Sequence, residues 1–232
     1  MVDNILLKYN RPGPRYTSYP PATFFHAGYT AEDYKQSIID SNNEEPGNIS
    51  IYIHIPFCPR LCHFCGCNTG IAKGKNHIER YVKALIKEIN AVSLLIDKKR
   101  TVTQVHWGGG TPNSIPCEFI ISVMDTLKAS FKFHRGAEIA MECSPAYLTL
   151  NNIDVLAETG FNRISLGIQD FHNEVLDTVN RLPSRLPMDE LVHYIRVKGF
   201  KSINLDLIYG LPKQTPETFA DSIKQAIALS PD

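Results

Sequence analysis

The sequence has no excess of charge of either sign and no long apolar run. Its 24 lysine and arginine residues balance 24 aspartate and glutamate residues, so no broad charged surface indicates nucleic acid or an anionic membrane as a partner. No apolar segment reaches the length of a bilayer-spanning helix, and the first residues lack the charge order and apolar length of a signal peptide. These absences predict a cytoplasmic protein with no membrane span and no nucleic-acid partner.

Cysteines are scarce outside one short segment. Six are present, and four of them, Cys58, Cys62, Cys65 and Cys67, fall within ten residues. A disulfide framework spreads its cysteines over a small secreted chain, so this clustering indicates metal or redox chemistry in a reducing compartment.

The first three clustered cysteines have the spacing C-x3-C-x2-C. Three thiolates on one short loop can hold three irons of a cubane cluster and leave the fourth iron open to a ligand. The alternative is a zinc site completed by Cys67 or His63, but the chain lacks the second C-x2-C knuckle that zinc sites usually have. Cys67 is not assigned as a cluster ligand, because a fourth thiolate would close the open iron.

From residue 49 onward, short apolar runs alternate with helical patterns. This alternation predicts an α/β fold with a parallel sheet of five strand–helix units, either open or curved into a barrel. Asn76 with Glu79, and Thr215 with Pro216, are predicted helix starts. The predicted strands are Ile49–Ile55, Val102–Trp107, Ala137–Cys143, Arg163–Ile168 and Ser202–Ile208. The predicted helices are Asn76–Ile96, Pro116–Ser130, Asn151–Glu158, His172–Asn180, Met188–Val197 and Pro216–Leu229.

The first 48 residues have a different composition. Residues 11–16 and 19–21 are too rich in proline for a helix or a central strand, and a short helix is predicted at Ala31–Asp40. We interpret residues 1–48 as an N-terminal arm and residues 49–232 as the barrel domain. A further strand is expected after the last helix, because a bare parallel edge is normally paired or covered, so the chain is predicted to be a fragment.

Polar or flexible groups stand at the ends of four predicted strands. The second strand runs into Gly108–Gly110, the third ends near Glu142, the fourth ends at Gln169 and Asp170, and the fifth contains Asp206. Parallel strands present their carboxyl ends on one face, so these groups are expected to converge above the cysteine loop. A tight turn, a helix cap or a salt bridge is the alternative for each of them taken singly.

The cysteine motif after a first strand resembles the signature of the radical S-adenosylmethionine (SAM) superfamily. The string from Tyr52 to Asn68 is similar to the oxygen-independent coproporphyrinogen III oxidases, as are residues 162–171 and 204–217 and, in the arm, residues 15–20. The radical SAM haem chaperones, which are relatives of those oxidases, typically lack a cysteine at the position of Cys67. That residue therefore favours the oxidase interpretation.

The resemblance implies an incomplete (β/α) radical SAM partial barrel that carries a [4Fe–4S] cluster and two SAM molecules. It implies that Cys58, Cys62 and Cys65 are the cluster ligands, and it assigns no side chain as catalytic. Tyr52, Gly109 and Glu142 match positions that contact the cluster-bound SAM. The positions that match contacts of a second SAM are Phe64, Gly110, Thr111, Gln169, Arg181 and Asp206.

The activity implied by the resemblance is oxidative decarboxylation of two propionates of coproporphyrinogen III to vinyl groups. An electron-donor protein is an expected partner. Arg11 and Arg15 are candidate anchors for the substrate's carboxylates, and the alternative is that both are solvated residues of the arm. Ser144 departs from the family, which usually has an acidic residue there. The alternatives are a haem chaperone, a zinc-stabilised module, and a fragment that binds a cluster without turnover.

Overall fold

The computed structural model describes Ile5, residues 8–10 and residues 21–232. The chain divides into two compact units, residues 1–41 and residues 42–232, and the predicted boundary lies seven residues later, after residue 48. In the first unit, helix α1 (Ala31–Asp40) has the predicted bounds, and Thr30 and Asp33 form a capping box at its start. Arg11, Arg15 and the arm segment 15–20 lie outside the described residues.

The second unit contains a five-stranded parallel sheet with the order β1-β2-β3-β4-β5, not closed into a full barrel. The strands are β1 (Ile49–Ile55), β2 (Thr101–Gly109), β3 (Lys132–Cys143), β4 (Arg163–Gln169) and β5 (Ser202–Leu207). The predicted fold class is therefore confirmed.

Helices connect consecutive strands, as the predicted alternation requires. They are α2 (Lys75–Ser93), α3 (Cys117–Ser130), α4 (Leu150–Glu158), α5 (Asn173–Thr178), α6 (Met188–Val197) and α7 (Pro216–Ala228). Short 3-10 turns lie at Ala22–Phe24, Ser41–Asn43, Pro112–Ser114 and Pro145–Tyr147. Within the described residues, no helix is long and apolar enough to cross a membrane.

The two predicted helix starts had different outcomes. Thr215 caps α7 through its side chain, and Pro216 occupies the first helical position, as predicted. The start predicted at Asn76 is wrong, because α2 begins at Lys75 after Gly74 and has no side-chain cap. Gly74 has a φ of 84°, a left-handed conformation that glycine adopts without steric cost, so the backbone turn replaces the expected cap.

The two faces of the sheet differ in polarity because side chains alternate along each strand. Trp107, Ile164 and Leu166 are fully buried on the face that the helices cover. On the opposite face, Tyr52 and Asp206 are exposed side chains of the two outer strands. The polar face is therefore the one available to a ligand.

Asp170, directly after β4, is buried against α7 and lies away from the polar face. Its carboxylate accepts hydrogen bonds from His172 N (2.8 Å), His172 Nδ1 (2.9 Å), Ser222 Oγ (3.0 Å) and Gln214 Nε2 (2.6 Å). Only 1% of its surface is exposed. The expectation that Asp170 converges with the other strand-end groups is therefore wrong; this carboxylate fastens the loop after β4 to α7.

Replacement of Asp170 by asparagine is expected to lower the free energy of unfolding by about 2 kcal/mol at pH 7, because an amide cannot accept all of these hydrogen bonds. Burial alone would raise the pKa of Asp170, but the hydrogen bonds from His172, Gln214 and Ser222 outweigh it and lower the pKa below its usual value. A carboxylate with a lowered pKa stabilises the fold above its unfolded-state pKa. That contribution is lost as the pH falls through the folded-state value.

Urea titrations at pH 7 and at about pH 3 measure this difference. The difference in the free energy of unfolding between the parent and Asp170→Asn should be smaller at the lower pH. Asp125→Asn on the exposed side of α3 is the matched control and should leave the stability unchanged. Equal stability of parent and Asp170→Asn at pH 7 would contradict the anchoring role.

Candidate functional site

The cysteine loop leaves β1 at the carboxyl edge of the sheet and is closed at its base. Cys58 N donates to Gly70 O at 3.0 Å, and Gly70 N donates to Pro56 O at 2.8 Å. Two peptide hydrogen bonds at the loop's base hold its ends together, so the loop projects over the carboxyl ends of the strands.

The outer part of the loop is bound to the segment after α5. Asn180 Nδ2 donates to Leu61 O at 2.8 Å, and His63 N donates to Val179 O at 3.0 Å. The His63 ring lies on the same side, with Nδ1 3.2 Å from Thr178 O. Asn180 has a φ of 56°, the left-handed conformation that asparagine tolerates, and this turn leads directly into Arg181.

The glycine run packs directly under the cysteine loop. A Cβ added to Gly110 would lie 2.6 Å from Phe57 O and 3.0 Å from Cys58 Sγ. Gly109 has a φ of 109°, and a Cβ there would lie 2.8 Å from the His54 ring. Gly110 N also donates to Ile55 O at 2.8 Å. The absent side chains allow this backbone to approach the first cysteine closely.

Two of the predicted cluster ligands receive hydrogen bonds at sulfur. Thr111 Oγ1 donates to Cys58 Sγ, and Arg181 Nη1 donates to Cys62 Sγ, both at 3.5 Å. Arg181 also donates to Gly167 O, which holds its guanidinium in place. A hydroxyl and a guanidinium directed at sulfur are hydrogen-bond donors of the kind that a metal-bound thiolate accepts.

Cys67 lies beside Cys65. Burial raises the pKa of the Cys67 thiol, and its neighbours Cys65, Glu142 and Cys58 raise it further. Within residues 21–232, no three His, Cys, Asp or Glu side chains are arranged to hold a single metal ion. Three thiolates that bind three different irons need not meet at one point, so the cluster prediction does not require such an arrangement.

One cavity of about 190 Å³ gathers most of the predicted site residues. Cys58, Cys62, Cys65 and Cys67 line it, together with every predicted SAM-contact residue except Tyr52. The predicted SAM-contact residues that line it are Phe64, Gly109, Gly110, Thr111, Glu142, Gln169, Arg181 and Asp206. Residues from all parts of the strand–helix series therefore meet in one place.

Tyr52 stands next to this cavity and is linked to it through His106. The rings of Tyr52 and His106 are stacked, with centroids 6.0 Å apart and an interplanar angle of 15°. His106 Nε2 lies 3.0 Å from Glu142 Oε1. Burial raises the pKa of Tyr52, and the Glu142 carboxylate raises it further, so the Tyr52 hydroxyl keeps its proton and can donate it in a hydrogen bond.

The far wall of the cavity comes from β4 and β5. Asp206 accepts from Ser165 Oγ at 3.0 Å and from Asn204 Nδ2 at 2.7 Å. Gln169 has a φ of 72° at a register shift between β4 and β5. This bulge re-aims the end of β4, so that Gln169 faces the cavity while Asp170 faces α7.

The backbone of Ser144 joins two turns at the carboxyl edge of the sheet, and these contacts do not explain the serine side chain at this position. Its backbone N donates to Asn113 Oδ1 at 2.9 Å, and Asn113 Nδ2 donates to Ser144 O at 3.1 Å. The turn after β3 is thereby joined to the turn after β2. Sequence reasoning missed three polar residues of this region, Arg60, His106 and Tyr147. The alternation of β2 could have indicated His106, which lies two residues before Gly108 and therefore on the same face.

Comparison with known proteins agrees with this geometry. Residues 52–226 match the radical SAM superfamily. The chain is 42% identical over 228 residues to the oxygen-independent coproporphyrinogen III oxidase of Synechocystis sp., and 42% identical over 228 residues to that of Escherichia coli. Each alignment covers 98% of this chain and 49% of the relative. The chain thus spans about half the length of the curated relatives it matches.

Solved structures give the same picture. The coproporphyrinogen III oxidase HemN from Escherichia coli, described as a radical SAM enzyme, superimposes with a TM-score of 0.86 at 40% identity. That match covers 99% of this chain and 51% of HemN. The radical SAM methyltransferase TsrM from Kitasatospora setae, at 14% identity and a TM-score of 0.52 over 79% of this chain, shares the fold alone.

Proposed function

The chain belongs to the radical SAM superfamily, and on that premise we propose that it is the barrel part of an oxygen-independent coproporphyrinogen III oxidase. The proposed reaction is oxidative decarboxylation of two propionates of coproporphyrinogen III to vinyl groups, which gives protoporphyrinogen IX. The observation that carries the proposal is the single cavity in which three cysteines and the predicted SAM-contact residues meet. Similarity to the named oxidases over nearly the whole chain supports the choice of substrate.

Membership of this family implies a [4Fe–4S] cluster and SAM as cofactors. Cys58, Cys62 and Cys65 are the proposed cluster ligands. Their surroundings fit the cluster, because Gly110 leaves no side chain beside Cys58 and because Thr111 and Arg181 donate hydrogen bonds to sulfur. The described cysteines are all free thiols, which also fits a reducing compartment.

We further propose that the cavity holds two SAM molecules. Tyr52, Gly109 and Glu142 are the proposed contacts of the first, since a carboxylate and a glycine backbone are suited to the charged ammonium group of an amino acid. The second would contact Gln169, Arg181 and Asp206 on the far wall. Phe64, Gly110 and Thr111 complete this second group of proposed contacts.

When bound, the cluster and SAM supply the one-electron chemistry that generates a carbon radical able to abstract hydrogen from a propionate. An electron-donor protein is the proposed source of that electron. The chain's own residues bind and orient these groups: His106 Nε2 lies 3.0 Å from Glu142 Oε1, and the Tyr52 ring stacks on His106 with its hydroxyl 3.2 Å from His54 Nδ1. The hydrogen bond from Asn180 to Leu61 O holds the cysteine loop in place beside the cavity.

The test is anaerobic reconstitution of the chain with iron and sulfide, followed by three assays. We expect about four irons per chain, cleavage of SAM, and formation of a vinyl porphyrinogen from coproporphyrinogen III. Stoichiometric zinc would favour the zinc-stabilised module. Haem binding without SAM cleavage would favour the chaperone, and SAM cleavage without decarboxylation would favour a fragment that binds a cluster without turnover.

Replacement of Glu142 by glutamine is expected to weaken SAM binding about tenfold, because the amide loses the negative charge proposed to pair with the ligand's ammonium group. Equilibrium dialysis of the reconstituted chain with labelled SAM measures this change. Glu138→Gln is the matched control, since Glu138 lies on the same strand and pairs with Arg163 at 3.2 Å. Equal weakening by both variants would contradict the role assigned to Glu142.

A further inference from the structure

Two polar groups of the cavity wall take no part in the interactions described so far. Arg60 lies in the cysteine loop between the first two cysteines, and Tyr147 lies in the turn after β3. Both line the cavity. Across the described part of the chain, neither the Arg60 guanidinium nor the Tyr147 hydroxyl has a hydrogen-bond or ion-pair partner.

The two groups belong to one electrostatic environment beside Cys62. Burial raises the pKa of Tyr147, the positive charges of Arg60 and Arg181 oppose that rise, and Cys62 and Cys58 add to it. Arg60, Arg181, Cys58 and Cys62 line the same cavity as this phenol. The Tyr147 hydroxyl remains protonated and available as a donor.

The other charged groups of the cavity are already paired. Glu142 is held by His106, and Asp206 accepts from Ser165 and Asn204. Arg181 donates to Gly167 O and to Cys62 Sγ. Arg60 is exposed at the cavity wall and pairs with no described residue, so its guanidinium is available to a ligand.

We propose that Arg60 and Tyr147 form a carboxylate-binding subsite of this cavity. A guanidinium presents parallel N–H donors that match the two oxygens of a carboxylate, and a phenol that lines the same cavity can add a third donor. The subsite rests on the proposed function, whose ligands carry carboxylates from two sources: the propionates of the porphyrinogen and the amino-acid end of SAM.

The experiment measures binding of two probes by the reconstituted chain of 232 residues. One probe is coproporphyrin III, the stable oxidised form of the proposed substrate, followed by quenching of its fluorescence. Its tetramethyl ester, in the same low-detergent buffer, keeps the ring and removes the charges. The other probe is SAM, followed by equilibrium dialysis.

Arg60→Gln is expected to raise the Kd of coproporphyrin III about tenfold and to leave the Kd of the ester unchanged. Arg60→Lys should have an intermediate Kd for coproporphyrin III. Tyr147→Phe should raise that Kd about threefold. Arg185→Gln, an exposed arginine outside the cavity lining, is the matched control and should change nothing. If Arg60→Gln weakens SAM binding and leaves coproporphyrin III unaffected, the subsite stands and its occupant is the amino-acid carboxylate.

Unchanged Kd values for both probes in Arg60→Gln and Tyr147→Phe would overturn the subsite. Absence of binding of either probe by the parent would overturn it as well, because the subsite is assigned to this chain's own residues. Equal losses in Arg60→Gln, Arg60→Lys and Arg185→Gln would also overturn it. Failure of the proposed function is a separate result: the parent would then bind carboxylate probes without cleaving SAM.

Discussion

Replacement of Cys62 by alanine is expected to leave the reconstituted chain almost free of iron and to reduce SAM cleavage by more than about 100-fold. Loss of an outer-shell partner of a metal ligand typically costs 10–100-fold in affinity or activity, and loss of a ligand itself should exceed that range. Cys62 is also the sulfur to which Arg181 donates, so alanine removes both a ligand and the acceptor that orients Arg181. The effect is measured anaerobically as iron content, absorbance and SAM cleavage.

Cys117→Ala provides the matched control for this variant. Cys117 begins α3, away from the cavity, and its Sγ accepts a hydrogen bond from Asn152 Nδ2 at 3.2 Å. The control should retain about four irons per chain and the parental rate. If Cys62→Ala keeps four irons, or if the parent takes up zinc in place of iron, the ligand assignment is wrong.

Replacement of Gly110 by alanine is expected to lower the free energy of unfolding by about 3 kcal/mol, the upper end of the usual cost of overpacking. The new Cβ would lie 2.6 Å from the backbone oxygen of Phe57, an atom that cannot rotate away as the end of a side chain can. The backbone must therefore move, and Cys58 must move with it, because its Sγ lies 3.0 Å from the same Cβ. We expect lower iron retention together with the loss of stability.

Gly66→Ala is the control for this effect, since Gly66 belongs to the same loop and a Cβ there would meet nothing within 4 Å. Its conformation is not left-handed, so alanine should be neutral or slightly stabilising. Urea unfolding of the cluster-free chain separates the packing effect from cluster binding. If Gly110→Ala is as stable as Gly66→Ala, the loop can move to accept the new Cβ, and the expected loss of stability is wrong.

The sequence predicts well those elements in which the polarity of each residue matches its burial. β1 and α6 have the predicted bounds, because strand alternation and the three-four spacing of a helix are local patterns. β3 begins earlier than predicted, at Lys132 and not at Ala137, since its first residues are largely exposed and carry no apolar alternation. Pairing with β2 determines their conformation.

Within the site, neighbouring residues illustrate the limit of local reasoning. Gln169 and Asp170 look equivalent in the sequence, yet a left-handed backbone at Gln169 directs one side chain to the cavity and the other to Ser222 on α7. Similarly, the contact between Arg181 and Cys62 joins residues 119 positions apart, and no periodic pattern relates such positions.

The sequence by itself determined the cysteine spacing, the alternation of strands and helices, and hence the family to which the chain belongs. The cysteine spacing and the strand–helix alternation are local properties, since a set of loop ligands and an amphipathic period each involve residues that are close together in the chain. Only the tertiary structure decided which polar groups meet in the cavity, that Asp170 is a structural anchor, and that Arg60 and Tyr147 have no partner among the residues the structure describes. The physical reason is that burial and pairing depend on strand register and loop closure, which join residues far apart in the chain.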